Sequence, residues 1–255
     1  MPKFLICLLA LPLCCSAADA DDWISPDRPD FVDSPNVVGK GRLQLEAGWQ
    51  RARNRDSGAT ELAGSTPLLA RIGLSDDLEL RLETDGRVSY RNGPVQQHGW
   101  GDVGVAVKWH LRDGGEGTPA VGLIAQADFA SGSADFKGQG TRPSLRMPVE
   151  LDLDPQWTVG VMPGIYLDRD DSGRRGTTAM FGVTLARSLS ERAFVFAELA
   201  APRIARSRMG GSTASLDVGG GYALSRDVQL DVALSRGLNR RTPDLSLNIG
   251  VSVRL

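Results

Sequence analysis

The chain has 255 residues, 41% of them apolar, with 29 basic and 31 acidic side chains and a formal charge of −2 at pH 7. That balance lacks the basic excess that drives nucleic-acid binding. All three cysteines (Cys7, Cys14 and Cys15) lie near the N-terminus, so the rest of the chain has no thiol for a disulfide or a cysteine-ligated metal site.

Lys3, the apolar run Phe4 to Leu13 and the A-x-A site Ala18-Asp19-Ala20 predict a secretory signal peptide over residues 1–20. Leu13 precedes Cys14 and Cys14 precedes Cys15, so neither cysteine follows the small residue a lipoprotein signal needs. Cleavage removes Lys3 and Asp19 together and leaves the charge at −2. No later apolar run is long enough for a membrane helix, so a membrane-spanning reading needs strands. A secreted chain without disulfides needs another device, such as a large core or a closed sheet.

Residues 21–40 form a leader without periodicity, carrying Pro26, Pro29, Pro35 and the run DRPDF at Asp27 to Phe31. Proline removes backbone donors, so this is no wall strand. It either hangs in the periplasm or folds into a barrel mouth. From Gly41 period-2 alternation begins and continues over residues 41–255. Pattern and turn signals predict about twelve strands. They fall near 42–53, 66–74, 78–90, 101–111, 119–131, 142–153, 157–168, 176–187, 193–203, 211–224, 228–237 and 245–255. The last, LSLNIGVSVRL, alternates strictly from Leu245 to Leu255. It ends in leucine, where outer-membrane strands commonly end in an aromatic.

The connections alternate in length. Ser75–Asp77, Asp154–Gln156 and Ser225–Asp227 are tight, whereas 54–65, 91–100, 132–141, 169–175, 204–210 and 238–244 are longer. Short turns on one side and long loops on the other mark an outer-membrane barrel. The expected fold is therefore all-β, a transmembrane antiparallel up-and-down barrel of about twelve strands in the bacterial outer membrane. Arginines crowd the long loops and their rims, among them Arg51, Arg53, Arg55, Arg91, Arg142, Arg174, Arg175, Arg240 and Arg241. Guanidinium forks pair with phosphate, so the rim is expected to meet lipopolysaccharide at the outer face. The alternative is ordinary solvated loop charge.

Leu78, Leu80 and Leu82 alternate with Glu79, Arg81 and Glu83; similar alternation runs through 103–111 and 144–153. In a soluble barrel the apolar face points inward; in a membrane barrel the sense inverts. The inverted reading lines the lumen with Glu79, Arg81, Glu83, Lys108, His110, Asp128, Arg146, Glu150, Asp152, Asp231 and Arg254. Both signs are present, so neighbours can pair across the interior. Such a lumen either conducts small molecules or is closed by its own charges. Pro148 falls inside the sixth strand, where it removes a ladder donor and is expected either to mark a bulge or to argue against a strand there.

Catalytic signals are sparse. His98 and His110 are isolated, with no H-x-x-x-H spacing, and no G-x-S-x-G occurs. No enzyme, metal or cofactor is expected; a hydrolase at the membrane rim is the least favoured alternative.

DRPDF at Asp27 to Phe31, GRLQLEAGW at Gly41 to Trp49, GDVGVAVKW at Gly101 to Trp109 and the closing strand resemble the MetA-pathway of phenol degradation family. The resemblance covers nearly all of the mature chain. It implies an outer-membrane transporter-like barrel that passes aromatic or other hydrophobic compounds. Asp27, Arg28, Asp30 and Phe31 match the family's leader, and Gln44 and Glu46 its first strand. Physically, Arg28 and the leader acids are expected to dock against lumen charges such as Glu46 and Glu79 as a periplasmic plug. The alternative is a locally ordered tether.

Overall fold

The alternation closes on itself. In the computed structural model, which describes residues 23–56, 59–170 and 172–255, every strand pairing is antiparallel and no α-helix occurs among the described residues. The expected signal peptide and the three cysteines lie outside the described residues.

The first wall strand is β1 (Leu43–Asp56). The second is β2 (Ala59–Ser65) with β3 (Leu68–Gly73), and the third is β4 (Leu78–Thr84) with β5 (Arg87–Asn92). The fourth is β6 (Val95–Trp100) with β7 (Val103–Arg112), followed by β8 (Ala120–Phe129). The sixth is β9 (Arg142–Arg146) with β10 (Val149–Asp152). The rest are unbroken: β11 (Trp157–Arg169), β12 (Arg175–Ser190), β13 (Ala193–Ile204), β14 (Thr213–Ser225), β15 (Val228–Gly237) and β16 (Leu245–Arg254). The sixteen segments make twelve wall strands because four are interrupted. β1 pairs β16 from Gln44 opposite Arg254 to Arg53 opposite Leu245, which closes the barrel.

The two faces have the polarity of a membrane protein. On β1, Leu45 and Trp49 are 44% and 47% exposed, whereas Gln44 and Glu46 are each 1% exposed. The same holds on β7, where Trp109 is exposed and Lys108 is fully buried. Water would reverse that arrangement; lipid outside and a polar lumen inside produce it.

Two expected loops turn out to be mostly wall. Residues 59–65 pair β1, and residues 95–100 pair β5, so β1, β2, β5 and β6 continue as a flap above the apolar band. Their sequences, ATELAGS and VQQHGW, lack alternation because most of their length stands above the hydrocarbon, where neither face need be apolar; only Trp100, at the lower end, reaches its edge. Backbone hydrogen bonds hold them without a greasy face. The wall breaks at Pro67, where no ladder donor exists, and at Gly86, whose φ of 61° suits glycine. Pro148 likewise interrupts the sixth strand without shifting its register: Arg146 faces Ile124, and Val149 faces Val121.

Candidate functional site: the leader inside the lumen

The leader enters at the short-turn end. Trp23 lies 5.6 Å from the Arg192 guanidinium and 5.8 Å from that of Arg226, both on short turns, and the Ile24 amide donates to the Arg226 carbonyl at 2.7 Å. The chain then rises into the barrel and returns, with the Gly41 amide donating to the Gly73 carbonyl at 2.9 Å. Between these points it touches two unlike walls.

On one side stands a cationic wall made by β3, β4 and β7. Inward positions two residues apart, or directly opposed across strands, bring Arg71, Arg81 and Lys108 together; Arg71 faces Arg81, and Glu79 faces Lys108. Asp27 of the leader fills the gap between the three cations. Lys108 Nζ reaches its two carboxylate oxygens at 2.9 and 2.8 Å, Arg81 bonds it directly, and Arg71 lies at 3.5 Å. Burial alone would raise the Asp27 carboxyl, but Arg71, Lys108 and Arg81 outweigh it and hold the group well below the usual carboxylate range. Arg71 also donates to Glu79 at 2.8 Å, to Glu46 at 3.2 Å and to the Ser25 and Asn36 carbonyls at 2.9 Å each. Lys108 further donates to the Ser34 carbonyl at 2.8 Å. Above this layer Asp33 takes Arg81 at 3.2 Å and Arg146 at 3.1 Å.

The opposite wall is acidic and polar. Arg28 Nη2 donates to Asn248 on β16 at 2.8 Å and to Asp231 on β15 at 3.2 Å. Gly48 and Gly250 face each other on β1 and β16, and a Cβ on either would run into this guanidinium. Glu198 on β13 accepts the Phe31 amide at 2.7 and 3.0 Å and the Val32 amide at 3.0 Å. Among the described residues no cation bonds the Asp30 side chain; burial, then the nearby Glu198 carboxylate, pushes its carboxyl well above the usual range.

The remaining predicted lumen residues spread over the barrel's height. Glu83, Gln126 and Asp128 form a second polar cluster on the loop side, with Gln126 donating to Glu83 and to Asp128 (2.7 Å) and accepting from Arg146. His110 Nδ1 lies 3.1 Å from the Pro35 carbonyl, and its Nε2 lies 2.8 Å from Asp113. Glu150 lines the lower cavity. Asp152 is exposed at the short-turn mouth and accepts from Thr158 at 2.7 Å. Arg254 joins the turn residue Asp227 at 2.9 Å. Arg28 goes to Asp231 and Asn248 rather than to Glu46 or Glu79, which bond Arg71 and, from the leader, accept the Asp27 and Val38 amides respectively. His98 stands on β6, not in a loop.

Sequence reasoning missed Arg71, Asp33 and Glu198. Arg71 was legible as the lone charge in LLARIG. Glu198 was not, because FVFAELA is apolar on both faces and hides which parity points inward.

The docked leader divides the interior. Below it a cavity of about 270 Å³ is lined by Trp23, Glu150, Thr184 and Gln229. Above it one of about 410 Å³ is lined by Phe31, Arg81, Asp128, Arg142 and Arg146. The loop after β8 is pinned beside the upper cavity: Asp102 accepts the Gly132 and Gly138 amides at 2.9 and 2.8 Å and Arg142 at 2.9 Å. Phe136 of that loop lines a further cavity with Gln50, Ala63 and Tyr90.

Comparison with solved structures places the chain among bacterial outer-membrane barrels. An outer membrane channel from Pseudomonas putida F1 superposes with a TM-score of 0.65 at 15% identity, covering 94% of this chain and 100% of that one. The NanC porin gives 0.54 at 16% identity, over 84% and 100% of the two chains. The KdgM porin, solved with disordered oligogalacturonate, gives 0.56 at 9% identity, over 82% and 98%. At these identities the likeness shows the fold. Comparison with curated protein sequences finds no significant match. Residues 26–255, from the leader's first proline to the closing strand, match the family described as "Putative MetA-pathway of phenol degradation", and the chain belongs to that family.

Proposed function

We propose that this protein is a passive, non-enzymatic channel for small molecules, aromatic or otherwise hydrophobic, with the leader as its periplasmic plug. The observation that carries the reading is the leader itself, held between two cavities of a closed barrel by side chains from opposite walls. A wall protein with no transport role needs no such division. Family membership and the channel and porin likenesses support the same reading. The upper cavity sets Phe31, Pro67 and Leu69 among both arginines and carboxylates, which suits a small ring bearing a polar group. At the outer rim we propose that arginines meet lipopolysaccharide phosphates.

A second reading is favoured by the density of the Asp27 network: a barrel closed by its own charges that serves the membrane or its surface. Single-channel conductance in planar bilayers separates the two, with phenol or toluate as the test solute. We expect discrete steps that the solute blocks, and larger steps when residues 21–36 are deleted. A deletion that changes neither conductance nor stability rules out the plug. An inserted, folded barrel that conducts in neither form, and passes no solute into liposomes, rules out the channel.

A further inference from the structure

The lipid-facing side of the flap carries a second site, unrelated to the lumen. Strand register arranges it in rows. Trp49, Thr66, Arg87 and Trp100 form one row, linked by the Arg87 amide donating to Thr66 Oγ1 at 2.9 Å and by Arg87 facing Trp100. The row above is Arg51, Gly64, Ser89 and His98; above that come Arg53, Leu62, Arg91 and Gln96. Rows on one face lie about 7 Å apart and neighbouring strands about 4.8 Å apart, so Arg51 and Arg87 flank a patch roughly 12 Å across.

Within this patch is an outward crevice of about 280 Å³, lined by Trp49, Arg51, Gly64, Ser65, Thr66, Arg87, Ser89 and His98. Gly64 keeps its floor open, since a Cβ there would stand 3.0 Å from Ser89 Oγ. No carboxylate lines it. Among the described residues neither Arg51 nor Arg87 makes a side-chain hydrogen bond or ion pair. Three other rim arginines are answered by the protein, Arg142 by Asp102 at 2.9 Å, Arg174 by Asp170 at 3.2 Å and Arg203 by Asp168 at 2.7 Å; what sets Arg51 and Arg87 apart is the crevice they share. Trp49 and Trp100, 47% and 61% exposed, mark the height where hydrocarbon gives way to headgroups.

Two unanswered guanidinium groups beside a hydroxyl-lined crevice, Arg87 within the exposed tryptophan row and Arg51 in the row above it, call for a phosphorylated amphiphile standing in the outer leaflet. We infer that this crevice binds a phosphate of lipid A, with Arg51 and Arg87 forking the phosphate oxygens, Ser89 contributing a hydroxyl, and Trp49 and Trp100 packing against the acyl chains below. The site places one lipid molecule against the β1–β2–β5 side of the barrel rather than spreading charge around the rim. It rests on the reading that rim arginines meet lipopolysaccharide, and it names which of them do so.

The test uses the refolded full-length mature protein in detergent, with bisphosphorylated and dephosphorylated lipid A as probes and native mass spectrometry as the readout. We expect the wild type to prefer the bisphosphorylated lipid by about tenfold or more, the equivalent of one or two charge-assisted hydrogen bonds. Arg51→Gln with Arg87→Gln should abolish most of that preference, whereas the exposed pair Arg175→Gln with Arg240→Gln should keep it. All four side chains are exposed, and an unchanged heat-modifiable gel shift confirms that the barrels fold. If the Arg175/Arg240 variant loses the preference and the Arg51/Arg87 variant keeps it, the site is wrong and the rim reading stands. If the wild type shows no preference, both fall. Displacement of lipid A by millimolar inorganic phosphate alone would reduce the crevice to a free-anion site and overturn the lipid assignment.

Discussion

The two walls that hold the leader grip it differently. The cationic wall gives Asp27 three cations, and those cations are themselves bonded to Glu79, Glu46 and leader carbonyls. The acidic wall gives Arg28 only one carboxylate and one amide oxygen. Both walls leave some polar atoms buried without a partner, Arg28 Nε and Asp231 Oδ2 on one and Arg81 Nε and Glu46 Oε2 on the other, so the difference lies in how many charges each buries together. A buried charge is expensive unless its partners and hydrogen bonds are complete. The first wall is therefore a lock, whose parts are costly to separate. The second is a guide that orients the segment more loosely, with Glu198 fixing the backbone at Phe31 and Val32.

Three substitutions sharpen that contrast, and one reporter reads them all. The chain beyond residue 20 has no cysteine, so Ser34→Cys supplies a single thiol that is buried when the leader is docked. Asp27→Asn should have the largest effect. It leaves Lys108, Arg81 and Arg71 short of a counter-charge in the lumen, at a cost of about 3–5 kcal/mol. The thiol should then label roughly a hundredfold faster or more; unchanged labelling would mean the lock does not hold the leader. Arg28→Ala should cost less, about 1–3 kcal/mol, the penalty for a buried Asp231 left without its donor. If it matched Asp27→Asn, the two walls would be equivalent and the contrast would fail.

Asp30→Asn should act in the opposite direction and least of all. Its carboxyl is raised by burial and by Glu198, so the docked state prefers it protonated. A raised carboxyl contributes stability at low pH that is lost as pH rises through its docked pKa. The amide mimics the protonated form, so labelling at neutral pH should slow and lose part of its pH dependence. Asp27 has the reverse sign: its depressed pKa contributes stability above the ordinary carboxylate range, lost only as pH falls through the depressed value. Wild-type docking should therefore survive mild acid and fail in strong acid. Release that begins on mild acidification would show that Asp27 is not the lock.

Much of this was legible in the chain. Period-2 alternation, sorted connection lengths and thiol-free strands lead to a closed membrane barrel because each strand must offer lipid an apolar face at every second residue. Leu78 to Glu83 and Gln229 to Asp231 also show which side chains share a face with Asp27's partners. The flap at residues 59–65 and 95–100 was not legible, because above the hydrocarbon the backbone ladder persists while the pattern that reveals it does not. The leader's path was equally hidden. DRPDF announces a segment that is no strand, yet which charge meets which depends on shear and register between strands far apart in sequence, such as Asp27 with Lys108 and Arg28 with Asn248. The sequence alone determines alternation and composition, since these are local. Tertiary structure alone decides the pairing of buried charges, because a barrel's closure sets which inward positions stand at the same height.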